Sequence, residues 1–321
     1  MPFPPSEIER LTDLQRARLL ARDQAAMDAL VRAWEGVESA VERDMLVAAE
    51  RARLRGYTSP ADLHNDRRYR DLLAQVRAEL TRYGHDATDT ITDAQRDAAR
   101  AGLTDAQDAI AAQYDGRFSR LPIEAVTNLV GILGDGAPLR EVLVDIDPRI
   151  DDRLAQSLIN GVARGKNPHA IADEMGTVFG TELLRFLTIA RTESIRAYNT
   201  ASQQQYKDSG IVTGWQRRET KDRRCCTACL VMDGTVYPVD TAWHDHVNGR
   251  GTMVPVLDRV PPRQTAWEWF ETLDEVTQRD ILGDRRFELW VGGYTPTAFA
   301  RTTTDPIWGA SLGVTPLRDL V

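Results

Sequence analysis

Residues 222–234 read Asp-Arg-Arg-Cys-Cys-Thr-Ala-Cys-Leu-Val-Met-Asp-Gly, and residues 244–251 read His-Asp-His-Val-Asn-Gly-Arg-Gly. All three cysteines of the chain and two of its five histidines lie in this stretch. Soft ligand atoms gathered so closely in a chain so poor in cysteine point to a metal-binding knuckle or the remnant of one. Cys226, Cys229 and His246 supply three donors for a tetrahedral zinc, and Cys225, His244 and Asp245 are candidates for the fourth. The histidine spacing argues the other way. His244 and His246 are one residue apart, so in a strand both would point along one face, unlike a finger's pair about four residues apart. Two readings stand side by side: a structural zinc, or a glycine-tightened loop packed with no cofactor. The stretch also marks where the fold changes character. Strand-like segments occur only here, at 211–218 and 235–239, and the Asp233-Gly234 pair favours a tight turn between them.

Upstream the pattern is helical. Ser6-x-x-Glu9 forms a capping box, and Ile8, Leu11, Leu19, Leu30, Trp34, Val37, Val41 and Met45 recur at helical spacing, with Gly36 the only weakness before Gly56. A helix of about fifty residues would run roughly 75 Å, which predicts a bundle spine, a pair kinked near Gly36, or an arm docked on a partner. Thr58-Ser59-Pro60 opens a second helix that Gly84 closes, and a third is expected over 87–118, interrupted near Gly102. Pro122, Gly131, Gly134, Gly136 and Pro138 mark a hinge. Beyond Asp147-Pro148, Ile150, Leu154, Leu158 and Val162 form a helical ladder; Asn167-Pro168 opens a short helix, and Thr181 caps a long one carrying Arg191-Thr192-Glu193. Trp267, Trp269, Phe270, Phe287 and Trp290 have the density of a core, and residues from Thr302 onward read as an extended tail. The fold class expected is therefore mainly α with a small α+β C-terminal domain, an elongated N-terminal helical region preceding a helix plus β-knuckle core. Four consecutive segments follow: 1–120 helical, 121–148 hinge, 149–300 knuckle domain and 301–321 tail.

Composition narrows the function. A hydrophobic share of 42% with 27% charged is that of a soluble protein, no apolar run approaches the roughly 20 residues of a membrane span, and Met1-Pro2-Phe3-Pro4-Pro5 lacks a signal-peptide layout. The expected site of synthesis is the cytosol, with the cysteines reduced or metal-bound. A net charge of −8 repels a phosphate backbone at long range, so strong direct binding of nucleic acid is not expected.

The order of Arg191-Thr192-Glu193, Arg196-Ala197-Tyr198-Asn199, Asp222-x-Arg224, Cys226-x-x-Cys229 and Asp233-Gly234 resembles the phage Mu F-like minor head proteins, or phage head morphogenesis family. That family's core runs from an Arg-Thr-Glu helix through an Asp-x-Arg-x-Cys-x-x-Cys knuckle and a Leu-Asp-Gly turn to a closing His-Pro-Asn-Cys-Arg-Cys. Here His246, Asn248 and Arg250 keep the closing pattern, while Gly249 and Gly251 stand at its two cysteine positions. The resemblance covers roughly residues 150–256. It implies a minor capsid protein of a tailed bacteriophage, made in the host cytoplasm and then carried in the virion, inside the capsid near the portal. Its implied partners are the portal protein and the major capsid or scaffolding protein, with no membrane during assembly. Head morphogenesis, DNA packaging or ejection would be its task.

Enzyme readings compete. A metal-dependent nuclease of the HNH type would need further ligands, but no histidine follows His246 and no asparagine follows Asn248. A cysteine hydrolase would pair one of the thiols with His244 or His246, yet three thiols in five residues suit ligation better than one activated nucleophile. No catalytic residue is assigned. Arg191 and Glu193 are two apart on a helix and do not share a face, so they are expected to fasten the helix to the knuckle, with Glu193 meeting Arg196.

Overall fold

The fold comes from a computed structural model and is described for residues 6–133, 136–145, 147–261, 263–305 and 308–320. It is mainly helical, with small antiparallel sheets confined to the C-terminal part. Three long helices dominate: α1 (Glu7–Arg55), α3 (Arg67–Ala111) and α6 (Pro168–Ser209). Shorter helices are α2 (Pro60–Asn65), α4 (Leu139–Val144), α5 (Ile150–Ala163), α7 (Thr227–Met232), α8 (Ala266–Glu271), α9 (Glu275–Leu282) and α10 (Asp284–Val291). Strands β1 (Gly214–Arg218), β2 (Val236–Pro238) and β3 (Thr252–Val256) form one sheet, and β4 (Ala300–Asp305) and β5 (Gly309–Val314) form a hairpin. Among the described residues no helix is long and apolar enough to cross a membrane.

Helix α1 starts where Ser6 Oγ accepts the Glu9 amide at 3.3 Å and ends at Gly56, whose φ of +64° suits glycine. It is continuous through Gly36. The two internal glycines of α3 also fail to act as the expected stops. Gly84 and Gly102 lie inside that helix because each marks a close approach of backbones: a Cβ at Gly84 would lie 2.7 Å from the Leu143 carbonyl oxygen, and one at Gly102 would collide with the carbonyl of Tyr198. Thr181 likewise caps nothing. Asn167 caps α6, accepting the Ala170 amide at 2.9 Å, and Thr181 donates to the Val178 carbonyl from within the same helix.

Gly102→Ala is therefore expected to destabilise the protein by about 1–3 kcal/mol, since neither backbone can yield cheaply. Gly36 is exposed, with no described neighbour within 4 Å of the place a Cβ would take, and Gly36→Ala should stabilise by about 0.5–1 kcal/mol. Urea unfolding of the two variants against the parent checks both signs.

Contacts divide the chain into two units that do not follow the expected consecutive segments 1–120, 121–148, 149–300 and 301–321. One comprises Met1–Asp23, Ala94–Gly136 and Arg191–Val321; the other comprises Gln24–Asp93 and Ala137–Ala190. The reason is length: α1, α3 and α6 each contribute residues to both units.

The second unit is built on an aromatic core. Trp34 meets Tyr83 edge-on at 5.0 Å and Phe179 at 4.7 Å, and Tyr83 meets Phe186 edge-on at 4.8 Å. The buried Tyr83 hydroxyl is satisfied by the Leu30 carbonyl at 3.0 Å. Between α1 and α3, the buried Asp66 carboxylate accepts from Arg51, Tyr57 and the Arg68 amide; burial pushes its pKa up, but these bonds outweigh burial and hold it well below the usual range.

In the first unit the sheet order is β2-β1-β3, with Trp215 opposite Tyr237 on one side and Pro255 on the other. Trp215, Met253, Leu257 and Val212 pack with Ala106 and Ile110 of α3 and Tyr206 of α6, while Ile8 of α1 packs on Val254. Strand β3 lies outside the strands expected at 211–218 and 235–239; it holds Pro255 at a sheet edge, where a missing amide is tolerated. The expected 121–148 hinge carries a 3₁₀ helix at Ile123–Leu129 and α4, with Val126, Leu129, Leu139 and Leu143 buried; Gly134 lies outside the described residues. Of the expected tail from 301, β4 (Ala300–Asp305) pairs with β5 (Gly309–Val314) as a hairpin, with 306 and 307 outside the described residues.

Candidate functional site

Strand β1 sets up the site. All five of its residues are buried although Gln216, Arg217 and Arg218 are polar, so each must find partners inside the unit. Gln216 donates to the Gly234 carbonyl at 3.1 Å, and Arg218 meets Asp13 at 2.8 Å and Glu9 at 3.6 Å on α1. Arg217 points to the knuckle. Its guanidinium donates to Glu219 Oε1 at 2.6 Å, Asp245 Oδ1 at 2.9 Å and the His244 carbonyl at 2.8 Å, and lies 4.4 Å from the centre of the Trp243 ring.

After β1 the chain reaches the two cysteines at the start of α7. The Cys226 sulfur caps that helix, accepting the Cys229 amide at 3.3 Å. The turn that follows is of type II: Asp233 has φ −59° and ψ 134°, Gly234 has φ +87°, and the Thr235 amide donates to the Met232 carbonyl at 3.1 Å. Only glycine takes that second position without strain.

His246 closes on both thiols. Its Nε2 is 3.3 Å from Cys226 Sγ and 3.1 Å from Cys229 Sγ, and its Nδ1 is 2.7 Å from the Val247 carbonyl. The Val247 carbonyl holds a proton on Nδ1, and Nε2 is the nitrogen that faces both sulfurs: without a metal its N–H donates to Cys226, and the same nitrogen is the one a metal would take. The hydrogen bond from Cys229, with that of His246, draws Cys226 below the usual thiol range against the effect of burial, and the same Cys226 contact raises His246 to about 9. Cys229 is pushed up by its bond to Cys226 and by burial, and Glu219 by burial above all.

The donor atoms of Cys226, Cys229 and His246 lie within 4.8 Å of one another. In a tetrahedral zinc site the sulfur and imidazole nitrogen stand roughly 3.5 Å apart, given metal–ligand distances near 2.3 and 2.0 Å. The observed separations are a few tenths of an ångström shorter, and a two-sulfur, one-nitrogen set suits zinc over calcium or magnesium. These three residues fit the ion. Of the candidates for a fourth ligand, Cys225 stands outside the group of three donors, its pKa raised by burial, and His244 is exposed.

The other sequence-derived residues act as ties. Asp222 and Arg250 form a forked pair at 2.7 and 2.8 Å. Thr192 Oγ1 accepts the amide of Asn248, whose φ is +63°, at 3.1 Å, and Asn199 donates to the Gly251 carbonyl at 3.0 Å. These two bonds fasten α6 to the knuckle. Arg191 instead donates to Asp23 on α1 at 2.8 Å, and Glu193 takes Arg196 at 2.5 Å as its spacing predicts. Asp233 is the most heavily used: its carboxylate accepts the Glu219 amide at 2.6 Å, the Ala266 amide at 2.6 Å and a forked pair from Arg263 at 3.0 and 2.7 Å. Arg217, Glu219 and Arg263 do not emerge from the sequence, where charged residues in a strand or loop read as surface. The one signal is Gln216-Arg217-Arg218-Glu219, too long a polar run for a strand with a single wet face.

Residues 152–264 match the protein-family model described as Phage Mu protein F like protein, the family to which the Arg-Thr-Glu helix and the knuckle point. The match takes in α6, the three strands of the sheet and all the donors above, and ends just past Arg263. No curated protein and no solved structure matches the chain.

Proposed function

We propose that this chain is a minor head protein of a tailed bacteriophage that works by binding, with the portal protein as principal partner and the major capsid or scaffolding protein as further contacts. Its place is the host cytoplasm during assembly and then the virion near the portal, in head morphogenesis, DNA packaging or ejection. The observation that carries this reading is the match over residues 152–264, whose signature residues serve to hold segments together: Asp222 on Arg250, Thr192 on Asn248, Asp233 on Arg263. A balance of −8 supports a protein partner over nucleic acid.

The apolar stripe of α1 is not the docking surface. Ile8, Leu19, Leu30, Trp34, Val37, Val41 and Met45 are buried, so α1 is no free arm. Deleting residues 1–118 would remove Ile8, Ala106 and Ile110 from the core around the sheet, and the knuckle would not fold without them. The test uses the whole chain instead: proheads assembled with and without it, purified, cross-linked and read by mass spectrometry. A few copies per particle cross-linked to the portal are expected. Absence from the particles overturns the head reading, and cross-links confined to the capsid lattice overturn the portal assignment.

A cysteine hydrolase is the second reading, because Cys226 and His246 are paired at 3.3 Å and His246 lines a cavity of about 410 Å³ with Arg196, Trp243 and His244. Against it, the Cys229 sulfur sits closer still to the same ring nitrogen. A hydrolytic activity lost in His246→Ala would establish it and overturn the non-enzymatic reading.

A further inference from the structure

We propose that Asp245 is the fourth ligand of a closed structural metal site, so that Cys226, Cys229, His246 and Asp245 together bind a zinc-class dication. No cysteine follows Cys229, and positions 249 and 251 beyond His246 are glycine, so no further thiol is at hand. Three donors converge, and a structural zinc takes four. Asp245 borders the set. Its Oδ1 is 3.9 Å from Cys229 Sγ and 4.0 Å from His246 Nε2, and its carboxylate groups with Cys229 and Glu219, so that ligation turns it toward Cys226.

The two oxygens of this carboxylate are not equivalent. Oδ1 accepts from Arg217 and from the His246 amide, both at 2.9 Å, and so is held in position. Oδ2 is buried and has no hydrogen-bond partner among the described residues, although the side chain is only 10% exposed. A buried carboxylate oxygen left without a donor is costly, and a cation is the partner that would satisfy it. Arg217 then acts as a positioning residue, as the carboxylates and carbonyls behind metal ligands do elsewhere.

Gly249 makes room for this carboxylate. A Cβ at that position would come within 2.7 Å of Asp245 Oδ1 and closer still to Oδ2. Any side chain there, cysteine included, would drive the carboxylate out of the space it fills. Glycine at 249 thus leaves the carboxylate its space.

The experiment is metal analysis of the full chain purified without chelator, followed by competition against a chromophoric chelator and cobalt substitution. The parent should hold about one equivalent of zinc, and its cobalt form should show the intense visible bands of a tetrahedral site with thiolate charge transfer. Asp245→Asn keeps an acceptor for Arg217 and the His246 amide but loses the charge, and should weaken zinc at least about tenfold. Gly249→Ala, which removes no donor but displaces the Asp245 carboxylate, should weaken it comparably. Circular dichroism monitors folding, and melting of each variant with zinc and after chelation separates the roles: the Asp245→Asn deficit should be larger with metal than without. Zinc affinity and cobalt spectrum unchanged in Asp245→Asn would overturn the assignment of the fourth ligand, and less than about 0.1 equivalents of zinc in the parent, even after refolding with zinc in excess, would overturn the site.

Discussion

Asp233→Ala should unfold the knuckle region at a cost of about 3–5 kcal/mol, because it strands a buried guanidinium and two buried amides together. Asp233 is fully buried and Arg263 is 2% exposed, so neither the forked pair nor its loss is screened by water. The carboxylate joins three pieces of chain: the end of β1 through the Glu219 amide, the start of α8 through the Ala266 amide, and the segment leading to α8 through Arg263. Asp233→Asn should do nearly as much harm, since an amide nitrogen would face donors at one of the two oxygens. Hydrogen exchange reads the effect locally: the Glu219 and Ala266 amides should lose protection in both variants while amides around Trp34 in the other unit keep theirs. A loss of stability under about 1 kcal/mol would show that the network is not holding these segments.

What the sequence disclosed and what it hid divide along a physical line. Helix starts were legible at Ser6, Ser59-Pro60 and Asn167-Pro168, because a cap is a local matter between one side chain and the next turn. Helix interiors were not, at Gly84 and Gly102. A glycine inside a helix costs the same in isolation whether it ends the helix or admits another backbone, and only the neighbour, Leu143 or Tyr198, tells which. Thr302, Thr303 and Thr304 are β-formers that belong to β4, yet the glycines and prolines around them hid the hairpin. The β5 strand of that hairpin also reaches the site, where Ser311 donates to the Asp245 carbonyl at 3.1 Å.

The site shows the same division. Cys226, Cys229 and His246 could be picked out because soft ligands are rare and were crowded. Their supports could not, because an arginine or glutamate is common and its burial depends on partners far away in sequence. Arg217 and Asp245 are 28 residues apart, and Asp233 and Arg263 are 30 apart. Arg191 shows the converse error: its motif membership suggested the knuckle, whereas the helix phase aims it at Asp23.

Arg217→Met is the other substitution expected to cost about 3–5 kcal/mol, and for a reason that can be separated from lost packing. Arg217 is 3% exposed and is the cation that bridges Glu219, 2% exposed, and Asp245. Methionine fills much of the same volume and can still lie against Trp243, so the apolar contact is largely kept. What remains is two buried carboxylates without their counter-charge. If that is the source of the loss, removing one of the charges should recover part of it: Arg217→Met with Glu219→Gln should be more stable than Arg217→Met alone, by on the order of 1–3 kcal/mol, although Glu219→Gln in the parent destabilises. A double-mutant cycle by urea unfolding measures the coupling directly. Additive losses would mean that Arg217 contributes by filling space beside Trp243 and not by neutralising charge, and the account of β1 as the strand that carries a buried cation to the knuckle would fall with it.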